Sequence, residues 1–272
     1  MSSIHNYFNE CSMDVTKKYS KSNYNYLRYL AKKNETDIHP KGKTATELLI
    51  KKMEIKEGQN VLEVGFGAGK TLIRLASAFN INLFGIDIMP EMYANAEKKI
   101  NDSGLKDKIK IILAEDKKFP FPDNSFDIVF AESVLGFQDN EDLVCLIKEI
   151  RRVLKPKGIF AANDAVWIKG LNAEIVSGIN AECLKDFGMR HATQDYWDFE
   201  NWKNFYIENG FEILSSELLP EVVNDNIEMK KSGWNFFNPL TVLQDADYRS
   251  KIRKHRNDKD YVEARLFLIR KK

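Results

Sequence analysis

The chain has 272 residues, 43% of them apolar and 30% charged, with 41 Lys and Arg against 40 Asp and Glu. That length predicts one large domain or a domain with an appendage, and the charge balance argues against a uniformly basic nucleic-acid binder. No apolar run approaches the roughly 18 residues of a membrane span, residues 1–10 carry no export-signal pattern, and three widely separated cysteines (Cys11, Cys145, Cys183) fit a reducing cytoplasm rather than a disulfide framework.

Residues 1–38 hold five of the ten tyrosines (Tyr7, Tyr19, Tyr24, Tyr26, Tyr29) and are expected to form an N-terminal helical cap on a domain spanning 39–272. From 39 to 164, strand-like and helix-like segments alternate, which predicts a parallel sheet flanked by helices. The expected strands are 60–65, 82–87, 108–114, 125–132 and 158–165. Between them, residues 68–79 form a helix with Leu72, Leu75, Ala76 and Phe79 on one face. Residues 90–103 form a second helix, opened by Pro90 and stopped by Gly104. A third covers 139–154 and is closed by Pro156 and Gly158.

The rhythm then breaks. Residues 168–197 predict a helix with Ile175, Ile179 and Cys183 at four-residue spacing, followed by an aromatic connection, together a substrate lid. A helix over 199–208 has Asp198 as N-cap and Gly210 as stop. Two more strands, 211–219 and 261–270, flank an insertion at about 220–260 that shows no strong periodicity. The last 24 residues hold ten Lys or Arg against three Asp or Glu, a net of +7, so the remainder carries −6. A basic end can mark an anionic partner or a solvated terminal strand.

The segment Val61-Leu-Glu-Val-Gly-Phe-Gly-Ala-Gly-Lys-Thr71 runs from a strand through a glycine turn into a helix, where backbone can approach a ligand closely. Counting from either Gly65 or Gly67 misses the third glycine of a dinucleotide fingerprint. Only three residues separate Gly65 from Gly69-Lys70-Thr71, one short of a phosphate-binding P-loop. What remains is E-x-G-x-G-x-G, carried by Glu63, Gly65, Gly67 and Gly69. With this motif the sequence resembles the class I S-adenosylmethionine (SAM) methyltransferases, most closely the branch acting on small molecules such as quinones and sterols. Three further segments, ending at Asp87, spanning 114–127, and at Glu149-Ile-Arg-Arg-Val-Leu-Lys-Pro-Lys-Gly158, follow in the family's order. The resemblance covers about residues 39–165. It implies a Rossmann-like, doubly wound, mostly parallel seven-stranded α/β sheet with SAM as cofactor.

By the same resemblance, Glu63 holds the methionine amino group, Asp87 the ribose hydroxyls and Asp116 the adenine amino group, while Ile88 packs on the adenine. Asp87 also reads as a helix N-cap before Pro90. Glu115 is an alternative to Asp116.

Methyl transfer needs alignment, exclusion of water and, for O or N acceptors, a base. Many relatives carry a histidine after the fourth strand, where this chain has Gly136-Phe137. The substitutes are Glu132, at the end of that strand, and His191, in the lid; Asp164 is a weaker one. Trp167, Tyr196, Trp197, Phe199 and Trp202 are either acceptor-stacking groups or core. The sequence has no zinc-type Cys or His spacing, so no metal is expected. The expected reaction is methyl transfer to a small molecule. The alternatives are an RNA or protein methyltransferase that uses the basic end, and a non-catalytic protein of the same fold. The attacked atom and the oligomeric state stay open.

Overall fold

The structure, a computed structural model, describes residues 24–33, 42–114, 118–193, 195, 197–219 and 245–272. Seven strands form one sheet: β1 (Asn60–Val64), β2 (Asn82–Asp87), β3 (Ile109–Leu113), β4 (Phe126–Glu132), β5 (Leu154–Trp167), β6 (Phe211–Leu218) and β7 (Val262–Lys271), in the order β3-β2-β1-β4-β5-β7-β6. The first five are parallel, and β7 runs antiparallel between β5 and β6. This is the mostly parallel, doubly wound sheet expected from the sequence.

Both faces are covered, which is why the strands read as continuous apolar runs. Helices α2 (Gly42–Met53), α3 (Lys70–Ala78) and α4 (Pro90–Asp102) cover one face. There Leu49, Leu72, Leu75 and Ile100 pack with Val61, Leu83 and Ala161. Helices α5 (Asn140–Val153) and α7 (Phe199–Glu208) cover the other, packing Leu143, Ile147, Trp202 and Tyr206 with Leu62, Val129, Phe160 and Phe267. Asp198 caps α7 as expected, accepting from the backbone N–H groups of Glu200 and Asn201 in a capping box. The chain leaves β1 toward β2 on one side and returns to β4 on the other. The carboxyl ends of β1 and β4 therefore flank the crevice where open α/β sheets bind ligands.

Three differences from the expected elements have physical causes. The fifth strand begins at Leu154, not 158, because Leu154 already pairs with Phe126. Pro156 and Gly158 then lie in a bulge where Lys157 has φ +62°. A Cβ at Gly158 would sit 2.8 Å from the Lys155 carbonyl oxygen. The insertion at 220–260 contains a helix, α8 (Ala246–Lys254), that buries none of its residues and so leaves no apolar periodicity in the sequence. The helix expected within 168–197 is confined to α6 (Ala173–Phe187), capped by the Asn172 side chain. In addition, Cys145 is disulfide-bonded while Cys183 is a free buried thiol, so the expectation of a chain without disulfides is corrected at Cys145.

Helix α1 (Asn25–Lys32) lies within the N-terminal cap segment. One side of it packs Tyr26 and Leu30 against Phe137, Phe187 and Met189. The other meets Met89 and Met92 through Ala31, with Asn95 Nδ2 donating to the Ala31 carbonyl at 2.7 Å. It thus bridges the segments that follow β2 and β4.

Candidate active site

The glycine turn is shaped by what surrounds it. Gly65, Gly67 and Gly69 have φ of +73°, +52° and +76°, a region that side-chain-bearing residues adopt only at a cost. Gly65 also has no room: a Cβ there would lie 2.5 Å from Val134 Cγ2. At Gly67 a Cβ would meet nothing within 4 Å. Packing therefore accounts for Gly65, whereas the bare face at Gly67 is open for a ligand to approach.

Carboxylates ring this turn. Glu63, the next-to-last residue of β1, is 4% exposed, and its Oε2 has no hydrogen-bond partner among the described residues. Burial raises its pKa well above the usual carboxylate range, helped by the neighbouring Glu132 and Asp87. A buried acceptor without a donor is costly, and a cationic ligand would relieve that cost.

Asp87, at the end of β2, accepts from Gly67 N at 2.8 Å through Oδ2 and from Met89 N at 2.9 Å through Oδ1. Burial pushes its pKa up to about 6 against these bonds. The N-cap of α4 is Met89, not Asp87, so Asp87 serves the loop and cleft and does not cap the helix. Beside it lies a cavity of about 100 Å³ whose lining includes Asp87, Ile88, Ala114, Phe119 and Val134. Its walls are mostly apolar, as suits a flat ring system. Asp116 and Glu115 lie outside the described residues, between the lining residues Ala114 and Phe119.

Glu132 ends β4. Thr46 of α2 donates to both its carboxylate oxygens, at 3.1 and 3.0 Å, and Thr71 of α3 adds a 3.4 Å contact. These two threonines escaped the sequence reading, because each sits on a helix far from β4 in the chain. Their hydroxyls, near the start of helices that lead onto the cleft, were the only available hint. The next residue, Ser133, takes φ +55° and reverses the chain into the 3₁₀ turn Leu135–Phe137.

Asp164 of β5 is fully buried and accepts from Gly136 N at 3.1 Å. Burial raises its pKa to about 7. A Cβ at Gly136 would lie 3.3 Å from the Ala165 carbonyl and 3.4 Å from Asp164 Oδ1. A side chain at position 136 would therefore require the Ala165 carbonyl or Asp164 to give by a few tenths of an ångström.

His191 is elsewhere. It is 1% exposed, 5.9 Å from the Trp167 ring, and absent from the cavity lining. Its backbone N–H bonds Asn180 Oδ1, and Asn180 Nδ2 and Trp167 Nε1 both bond the Thr193 carbonyl. This joint fastens α6 to β5, and burial lowers the His191 pKa to about 4. Trp167, Trp197 and Trp202 are likewise buried, the last two packed with Phe205, so they are core; Tyr196 lies outside the described residues.

A methyltransferase-domain family model matches residues 61–158. An uncharacterized protein of Haemophilus influenzae is 33% identical over 67% of this chain and 70% of its own length. Sterol 4-C-methyltransferase strm-1 of Caenorhabditis elegans is 35% identical over 43% of this chain, a match spanning only 34% of that enzyme. The crystal structure of the [4+2]-cyclase SpnF superposes with a TM-score of 0.66 at 22% identity, covering 84% of this chain and 80% of SpnF.

Proposed function

Because this chain belongs to the class I SAM-dependent methyltransferases, we propose that it transfers a methyl group from SAM to a small-molecule acceptor by in-line displacement. The observation that carries this reading is Glu63 Oε2, a buried acceptor without a donor, beside the open face of Gly67. Glu63 would hold the cofactor's amino group, Asp87 the ribose hydroxyls, and Ile88 would pack on the adenine. Asp116 remains the residue assigned to the adenine amino group. Bound in this cleft, SAM supplies a methyl on a sulfonium leaving group.

We assign the acceptor side to Glu132. Thr46 and Thr71 hold its carboxylate at the mouth of the crevice, where it can orient the acceptor or take a proton from an O–H or N–H. His191 is buried in the core and does not line the cavity, so the role we assign it is support of α6. A cytoplasmic location, where SAM is available, fits this chemistry; among the described residues no helix is long and apolar enough to cross a membrane.

The polymer-substrate alternative draws little support from the basic end. Lys251 pairs with Asp247, Lys254 with Glu182 and Asp186, Arg265 with Glu263 and Arg270 with Glu212, while Lys271 donates to the Leu154 carbonyl at 2.6 Å. The test is isothermal titration with S-adenosylhomocysteine, followed by incubation of cell extract with methyl-labelled SAM. Binding together with label in the small-molecule fraction is expected. No binding would sink the assignment. Label confined to RNA or protein would shift it to a polymer substrate.

A further inference from the structure

Three residues that the proposed reaction does not use converge where the lid helix meets the turn into β7. Cys183, on α6, places Sγ 3.5 Å from His255 Nδ1 and 4.0 Å from Asp258 Oδ2. His255 Nδ1 and Asp258 Oδ2 are 2.5 Å apart, and one atom from each of the three side chains lies within 4.8 Å of the other two. The other ring nitrogen, Nε2, is 3.0 Å from Asp186 Oδ2. Asp186 is in turn held by Lys254 at 2.8 Å.

We propose that Cys183, His255 and Asp258 form a Zn²⁺ site that staples the lid helix to the turn entering β7. Thiolate, imidazole and carboxylate are zinc's ordinary donor set. Tetrahedral bonds of about 2.3 Å to sulfur and about 2.0–2.1 Å to nitrogen or oxygen place donor atoms roughly 3.3–3.6 Å apart. The sulfur–nitrogen distance already has that value. The imidazole and carboxylate are closer because they share a proton. Zinc replaces that proton and the thiol proton, and two protons leave as the dication enters, so the cluster's net charge is unchanged. Asp258 has the freedom to turn, since its side chain is 17% exposed whereas His255 is 3% exposed and Cys183 is fully buried. The exposed side of Asp258 gives water the fourth position.

Asp186 is the second, independent sign. Ligating histidines regularly donate the other ring N–H to a carboxylate, which sets the tautomer and aims the free nitrogen at the metal. A protonated His255 bridging two aspartates accounts for the His255–Asp186 and His255–Asp258 distances but gives the buried thiol no task. The sequence concealed this site because the donors are 72 and 3 residues apart, unlike any short zinc motif.

The experiment uses tag-free, full-length protein, stripped with chelator and titrated with Co²⁺ and then Zn²⁺. One Co²⁺ per chain with a thiolate-to-cobalt charge-transfer band, displaced by Zn²⁺, is expected, with affinity rising as pH rises. Cys183→Ala should abolish the band, and Asp186→Asn should weaken binding by roughly 10- to 100-fold. Wild-type protein that gives no such band overturns the proposal without recourse to any variant, as does a band that survives Cys183→Ala. S-adenosylhomocysteine binding, measured on the same samples, reports on the cofactor cleft separately.

Discussion

At the carboxyl ends of β1, β2, β4 and β5 stand Glu63, Asp87, Glu132 and Asp164, and burial raises the pKa of the first, second and fourth. At the opposite edge of the same sheet, Arg152 donates to Glu149, Asp123 and the carbonyls of Phe119 and Phe121. Beside it, Lys155 bonds both oxygens of Asp127 at 2.8 Å. One edge leaves acceptors over for a ligand; the other closes its charges on one another. The wider cleft, about 530 Å³, is at the closed edge, lined by Arg151, Arg152, Glu208 and Lys271 among others, and the narrow cavity is at the open one. Unsatisfied buried groups, more than cavity size, mark the binding edge.

The largest effect that would test this contrast is expected from Arg152→Ala. It strands Glu149 and the carbonyls of Phe119 and Phe121, and should lower the unfolding free energy by about 2–4 kcal/mol with a much smaller loss of S-adenosylhomocysteine affinity, felt only through Phe119, which also lines the cofactor cavity. Denaturant titration with parallel calorimetry measures both. A matching loss of affinity would show that the two edges are not independent.

Asp87→Ala should shift the balance the other way, weakening the cofactor product by about 1–3 kcal/mol with a smaller loss of stability in the ligand-free protein, where Gly67 N and Met89 N lose their acceptor. If affinity is unchanged, Asp87 leaves the site and its role reduces to bracing Gly67.

A smaller effect follows from pH. Asp164 has a folded pKa of about 7 against 3.8 for the free side chain, so the folded state favours its protonated form. Its contribution to stability is complete below about pH 4 and is lost as pH rises through 7. Asp87 behaves alike through about 6, except that its ionised form is the better acceptor for ligand hydroxyls, so cofactor affinity should rise over that range. Thermal melts of wild type and Asp164→Asn between pH 4 and 8 isolate the first slope. A variant that keeps the full slope would remove Asp164 as its source.

Much of this was legible locally. The strands β1 to β4 and helices α3, α4, α5 and α7 each declare themselves through an apolar run or a 3.6-residue stripe with a cap or stop. The glycine turn needs only its own spacing to exclude dinucleotide and P-loop readings. Helix α8 left no trace because none of its residues is fully buried and only Tyr248 and Ile252 pack against the core. His191 looked like a base because a histidine in a lid carries no sequence mark of burial.

The sequence by itself determined the layered α/β class, the glycine turn and the acids at the strand ends, because hydrophobic period and turn chemistry are properties of neighbouring residues. Only the tertiary structure decided that Thr46 and Thr71 hold Glu132, that Val134 forbids a side chain at Gly65, and that Cys183 meets His255. These are contacts across 61 to 86 residues, and no local pattern encodes them. They exist because the folded sheet brings separate segments to the same edge.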